Sequence, residues 1–143
     1  MPIIPINYFA VVGAAVVSIV LGFLWYGPLF GKQWIAMMGW TEEQCSDAQK
    51  KGMGAKTYVP MIVGALIMAY VLSYSLVFAS TYLQASGASA GLMAGFWNWL
   101  GFIAPVIMGS VLWEGKSWKL WVLNSGYYLV SLCLMGMVLA VWQ

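Results

Sequence analysis

Apolar residues run almost unbroken through four stretches of the chain, and short polar segments separate them. The stretches cover about residues 8–27, 58–83, 91–113 and 118–142. Each is about 20 residues or longer, enough for one helix to cross a hydrocarbon layer of roughly 30 Å. Lipid offers the backbone no hydrogen-bond partners, so each stretch must satisfy its own amides, as a helix does. The pattern predicts an all-α integral membrane protein of one domain, with four transmembrane helices arranged as two hairpins.

Local signals refine the elements. Asn7 can cap the first helix and Pro28 should stop it. Thr57 is the expected cap of the second, with Pro60 in its first turn. Pro105 falls inside the third, where it should kink the helix and free a carbonyl that needs a partner. The connection 28–57 is long enough to hold two short elements. Phe30, Trp34 and Met38 share a helical face, which predicts a short amphipathic piece lying in the interface plane. Thr41-Glu42-Glu43-Gln44 has the form of a capping box and predicts a small polar helix that runs to Lys51 and ends at Gly52. Its acids at the start and lysines at the end suit the helix dipole. Residues 84–90 read as an uncharged turn. Trp113-Glu114-Gly115-Lys116-Ser117-Trp118-Lys119 reads as a tight polar turn whose tryptophans sit at headgroup level.

Small residues recur every four positions within the stretches. Ala14, Ser18 and Gly22 form such a stripe in the first, and Ala65, Ala69 and Ser73 in the second. Gly91 and Gly95 continue the theme in the third, Gly136 and Ala140 in the fourth. Stripes of this kind let helix backbones approach closely. The first two are expected to face each other or a common neighbour. Asn98 and Asn124 are the side-chain amides inside spans, and each is expected to bond across to an adjacent helix. A loose internal echo links Leu21-Gly22-Phe23 and Pro28 with Leu100-Gly101-Phe102 and Pro105, as two related hairpins would produce.

Composition agrees with a lipid solvent. The chain is 63% apolar and 7% charged, against roughly 25% charged in soluble domains. A net charge of +2 and the lack of arginine argue against nucleic acid as a partner. Cys45 and Cys133 fall at different depths, so no disulfide is expected. Without histidine, two isolated thiols make no metal site, and no cofactor is expected. The first apolar run is longer than a signal-peptide core and is expected to be retained. All six lysines lie in the first and third connections or at their edges. The positive-inside rule then places those connections in the cytoplasm and both termini outside.

Ordered motifs bear a resemblance. They are Asn7-Tyr8, Trp25-Tyr26-Gly27-Pro28-Leu29-Phe30-Gly31-Lys32-Gln33-Trp34 and Gly39-Trp40-Thr41-Glu42-Glu43, followed by Leu100-Gly101-Phe102 with Pro105, Trp113-Glu114-Gly115-Lys116 and Leu123-Asn124-Ser125-Gly126-Tyr127. Together they resemble a bacterial membrane family catalogued as domain of unknown function 1761. The resemblance implies a small multi-span protein of the bacterial cytoplasmic membrane and supplies no reaction, ligand or partner. Tyr128 stands where members of that family often have histidine, so a proton relay built on that histidine is not expected here.

No charge lies deep within a span, so the usual marker of an ion pathway is missing. Carboxylates paired within a span, a metal constellation and a phosphate loop are absent too, and an enzyme is not expected. The expected role is a structural or accessory subunit that associates with itself or docks on other membrane-protein subunits. A small oligomeric channel or transporter is the alternative, and a binder of lipid or a quinone-like ligand is a third. The candidate site lies at the cytoplasmic end: Tyr26, Glu114, Lys116, Lys119, Asn124 and Tyr128, with Tyr26 and Asn124 at one depth. The competing reading pairs Glu114 with a lysine in the wet interface and leaves Lys116 and Lys119 to attract anionic lipid.

Overall fold

The computed structural model describes residues 4–51 and 55–142. Every regular element among these residues is helical. Helix α1 (Tyr8–Leu24) continues into a π-helical turn over Trp25–Leu29. Two short helices follow, α2 (Gly31–Met38) and α3 (Glu42–Lys51), and then the long α4 (Ala55–Leu83). Helix α5 (Gly87–Asn98), a second π-helical turn (Trp99–Ile103) and α6 (Ala104–Leu112) form one continuous rod, and α7 (Trp118–Val141) comes last. Four segments are long and apolar enough to cross a membrane: Tyr8–Leu29, Lys56–Leu83, Gly87–Leu112 and Trp118–Val141.

The ends of these helices follow local chemistry. The Asn7 side-chain oxygen accepts from the amides of Phe9 and Ala10 at 3.1 and 3.3 Å. Its Nδ2 donates to the Trp142 carbonyl at 2.8 Å, which ties the start of α1 to the end of α7. The capping box closes as expected: Thr41 N–H donates to Gln44 Oε1 at 2.9 Å and Gln44 N–H to Thr41 Oγ at 3.2 Å. The expected stop of that helix at Gly52 lies outside the described residues. Ser117 caps α7 by accepting from Leu120 N–H at 3.2 Å.

Several boundaries differ from those read in the sequence. Pro28 does not stop the first helix; it sits inside the π turn, where Phe30 N–H reaches back five residues to the Trp25 carbonyl at 2.8 Å. The wider closure spans the proline, which has no amide of its own to offer. Helix α4 begins at Ala55, so Thr57 lies within it rather than capping it, and Pro60 falls in its second turn. Ala55 and Lys56 are good helix formers and extend the helix backwards. The turn before α5 shrinks to residues 84–86, because Gln84 at φ +50° and Gly87 at φ +64° reverse the chain at once. Ahead of Pro105 the third span takes a π turn, with Ala104 N–H bonded to the Trp99 carbonyl.

Helix α7 is the centre of the bundle, with α5 along one side and α1 on another, while α4 packs on α1 and α5. Ala14, Ala69, Leu72, Leu76, Leu132 and Met135 form the dry middle. The seam between α5 and α7 is the tightest. A Cβ on Gly91 would overlap the Gly136 carbonyl, and one on Gly136 the Gly91 carbonyl. Gly95 lies against the Leu132 carbonyl in the same way. The stripe on α1 meets α7 at Ser18 and Gly22: Ser131 Oγ donates to Ser18 Oγ at 2.9 Å, and Gly22 faces the Tyr127 hydroxyl. Ala65 and Ala69 are buried beside Ala14, whereas the Ser73 hydroxyl turns back to its own helix and donates to the Tyr70 carbonyl at 2.6 Å. The outward faces stay apolar, with Val12, Val16 and Val20 exposed on α1 and Ile67, Val71 and Phe78 on α4.

Candidate functional site

The polar groups of the bundle gather where the first π turn meets the first half of α7. Tyr26, inside that turn, donates its hydroxyl to Asn124 Oδ1 at 2.9 Å. Its neighbour Trp25 donates its indole N–H to the Leu123 carbonyl at 3.2 Å. Trp99 opens the second π turn and donates to the Ser125 carbonyl at 2.8 Å. Two tryptophans, each the first residue of a π turn, therefore brace α7 on either side of Asn124. A π turn inserts one residue into the helical ladder and rotates the side chains beyond it. The third indole, Trp121, donates to the Ala104 carbonyl at 3.1 Å beside Pro105.

Aromatic rings enclose this polar spot. Tyr127 stands 5.3 Å from the Tyr26 ring and 4.9 Å from that of Tyr128, centre to centre. Trp34, carried in by α2, meets Tyr26 edge-on at 5.8 Å. Tyr127 donates its hydroxyl to the Ser18 carbonyl at 3.0 Å and is thereby fixed against α1. Deeper still, the buried Ser18 and Ser131 hydroxyls bond each other.

Two clefts open on the cluster. One of about 340 Å³ is lined by Tyr26, Trp34, Ile107, Asn124 and Tyr128. The other, about 490 Å³, runs between α1, α4 and α7, and its walls include Gly22, Tyr26, Met61, Met68, Tyr127 and Tyr128. Tyr26 and Tyr128 belong to both walls. Met68 also lines a third cleft of about 350 Å³, beside Asn98 and Phe102.

Of the six residues proposed from the sequence as a site, the fold brings Tyr26, Asn124 and Tyr128 together. Glu114, Lys116 and Lys119 line none of these clefts. Glu114 is exposed in the turn before α7, and no ion pair joins it to a lysine among the described residues. Water solvates a charge far better than the bundle interior can, which keeps all three at the end. Asn98 donates to the Ala94 carbonyl of its own helix at 2.8 Å and accepts from Ser75 of α4 at 3.4 Å, so it fastens α4 to α5. Sequence reasoning missed Trp25, Trp34 and Tyr127 as parts of the site, because aromatics near span ends read equally well as interface anchors. Cys45 and Cys133 are free thiols.

The model of the family described as "Protein of unknown function (DUF1761)" matches residues 9–140. The chain belongs to that family. The matched region holds Tyr26, Asn124, Tyr128 and most of every span. No curated protein and no solved structure gives a significant match to the chain.

Proposed function

We propose that this chain is a multi-pass protein of the bacterial cytoplasmic membrane with a structural or accessory role, and not an enzyme or ion conductor. Its four spans form two hairpins, α1 with α4 and α5–α6 with α7. Both termini face outward and the lysine-bearing connections face the cytoplasm, with α2 in the interface and α3 in water. The lysine asymmetry supports this orientation. One observation carries the role: four side-chain hydrogen bonds between spans hold helices to one another. Ser18 bonds Ser131, Trp25 and Trp99 bond α7 carbonyls, and Ser75 bonds Asn98. Bonds of this kind act as glue between helices. Ionisable groups inside spans mark ion and proton pathways, and the charged residues here lie at span ends or in connections.

The test is crosslinking in native membranes, followed by sizing in mild detergent. The accessory reading expects a defined assembly, of this chain with itself or with other membrane subunits. A lone protomer that crosslinks to nothing would remove it.

A further inference from the structure

We propose that the cleft at Tyr26, Asn124 and Tyr128 binds an uncharged amphiphile with a flat, carbonyl-bearing ring head and a hydrocarbon tail, the quinone class. The proposal rests on the membrane placement above and not on the accessory role.

The first argument is an excess of donors. Asn124 Oδ1 is occupied by the Tyr26 hydroxyl. Among the described residues neither the Asn124 amide N–H groups nor the Tyr128 hydroxyl meets a protein acceptor. Neither group is sealed away, because no buried side-chain nitrogen or oxygen lacks a partner. Both therefore keep accessible surface, on two residues that line the cleft of about 340 Å³. Hydrocarbon cannot accept these bonds. A carbonyl oxygen seated between Asn124 and Tyr128 accepts them both.

Depth and charge narrow the head group. Asn124 lies six residues into α7 from Trp118, about 9 Å along the axis at roughly 1.5 Å per residue. Trp118 belongs at headgroup level, and the interfacial layer on each side is only about 5–8 Å thick. The donors thus sit within the hydrocarbon, below the ester groups of a phospholipid. None of the three clefts is lined by a lysine that would pair with phosphate. The walls are aromatic instead: Trp34, Tyr26 and Tyr128 line the cleft at Asn124, and such rings suit a flat head. Beyond Tyr26 and Tyr128 the cleft of about 490 Å³ passes along Gly22, Met61 and Met68 between α1 and α4, an apolar path for the tail. Both volumes fall within the roughly 300–1,000 Å³ of small-molecule sites.

The experiment uses the full chain purified from the membrane fraction in mild detergent. Extracted material is identified by mass spectrometry, and a decyl-tailed benzoquinone is titrated against tryptophan fluorescence. The expected result is saturable quenching with one site per chain, weakened about tenfold in Tyr128→Phe, the loss of one well-placed hydrogen bond. Tyr82→Phe, an exposed phenol at the other end of α4, binds as the wild type does. A prenyl alcohol without the ring displaces the quinone poorly. Tyr128→Phe keeps the packed ring, and an unchanged melting profile confirms its fold. If that profile shifts, Asn124→Gln takes its place, because a longer side chain misplaces the same donors. Three results would each overturn the proposal: no saturable binding by the wild type, equal affinity in the folded variant, or a retained phospholipid that the quinone does not displace. Crosslinking to other subunits has no bearing on any of them, so this reading and the accessory role can fail separately.

Discussion

Replacing Gly95 by alanine probes the α5–α7 seam most sharply. The new Cβ would stand 2.6 Å from the Leu132 carbonyl carbon and 2.8 Å from the Cys133 Cα, where ordinary contact begins at 3.4 Å. These are backbone atoms, and the Leu132 carbonyl oxygen lies nearer still, so no rotamer change relieves the contact and the helices must part by about 1 Å. A gap of that size forfeits roughly a quarter to a half of each neighbouring van der Waals contact. Overpacking of this kind costs about 1–3 kcal/mol. Gly64→Ala is the matched control, because its Cβ would meet nothing within 4 Å. It should be neutral or gain up to about 1 kcal/mol from helix propensity. The assay is reversible unfolding in mixed micelles of mild detergent and dodecyl sulfate, followed by tryptophan fluorescence. Gly95→Ala should unfold at clearly lower dodecyl sulfate than wild type, and Gly64→Ala should not. Equal midpoints for the two variants would refute the reasoning that backbone contact along this seam holds the bundle.

The same assay checks two further expectations. Asn7→Ala removes the cap on Phe9 and Ala10 and the tie to the Trp142 carbonyl, and should cost about 0.5–2 kcal/mol; a midpoint unchanged from wild type would count against the clamp. Ser18→Ala leaves Ser131 with only the Met135 sulfur at 3.6 Å, whereas Ser131→Ala leaves Ser18 beside the Tyr127 hydroxyl at 3.4 Å. The first should therefore be the more damaging. The double variant should show a coupling of about 0.6–1.7 kcal/mol, and strict additivity would mean the two hydroxyls do not cooperate.

Much of the fold was legible because its determinants are local. Four long apolar runs need no tertiary information to be recognised, and the Asn7 cap and the Thr41–Gln44 box depend on residues within three positions of one another. The shared depth of Tyr26 and Asn124 followed from helical rise alone. Periodicity says which face of α1 is smooth, but not whether α4 or α7 lies against it; Ser18 chose α7 because Ser131 is there to bond. The π turns at Trp25–Leu29 and Trp99–Ile103 had only Pro28 and Pro105 as local hints. Their register is fixed by indole bonds to distant carbonyls on α7. Glu114, Lys116 and Lys119 were drawn into the site by nearness in sequence, yet five residues separate Lys119 from Asn124, roughly 7.5 Å of helix.

The claim beneath all of this is that the chain crosses a membrane repeatedly with its lysines on the cytoplasmic side. A membrane-impermeant maleimide applied to cells with an opened outer membrane tests it directly, using Cys133→Ala as background. Cys45 lies in α3 and residue 86 in the opposite turn. With Ser86→Cys added, residue 86 should label in intact cells, while Cys45 should label only after the inner membrane is broken. Labelling of Cys45 in intact cells, or both positions behaving alike, would contradict the account.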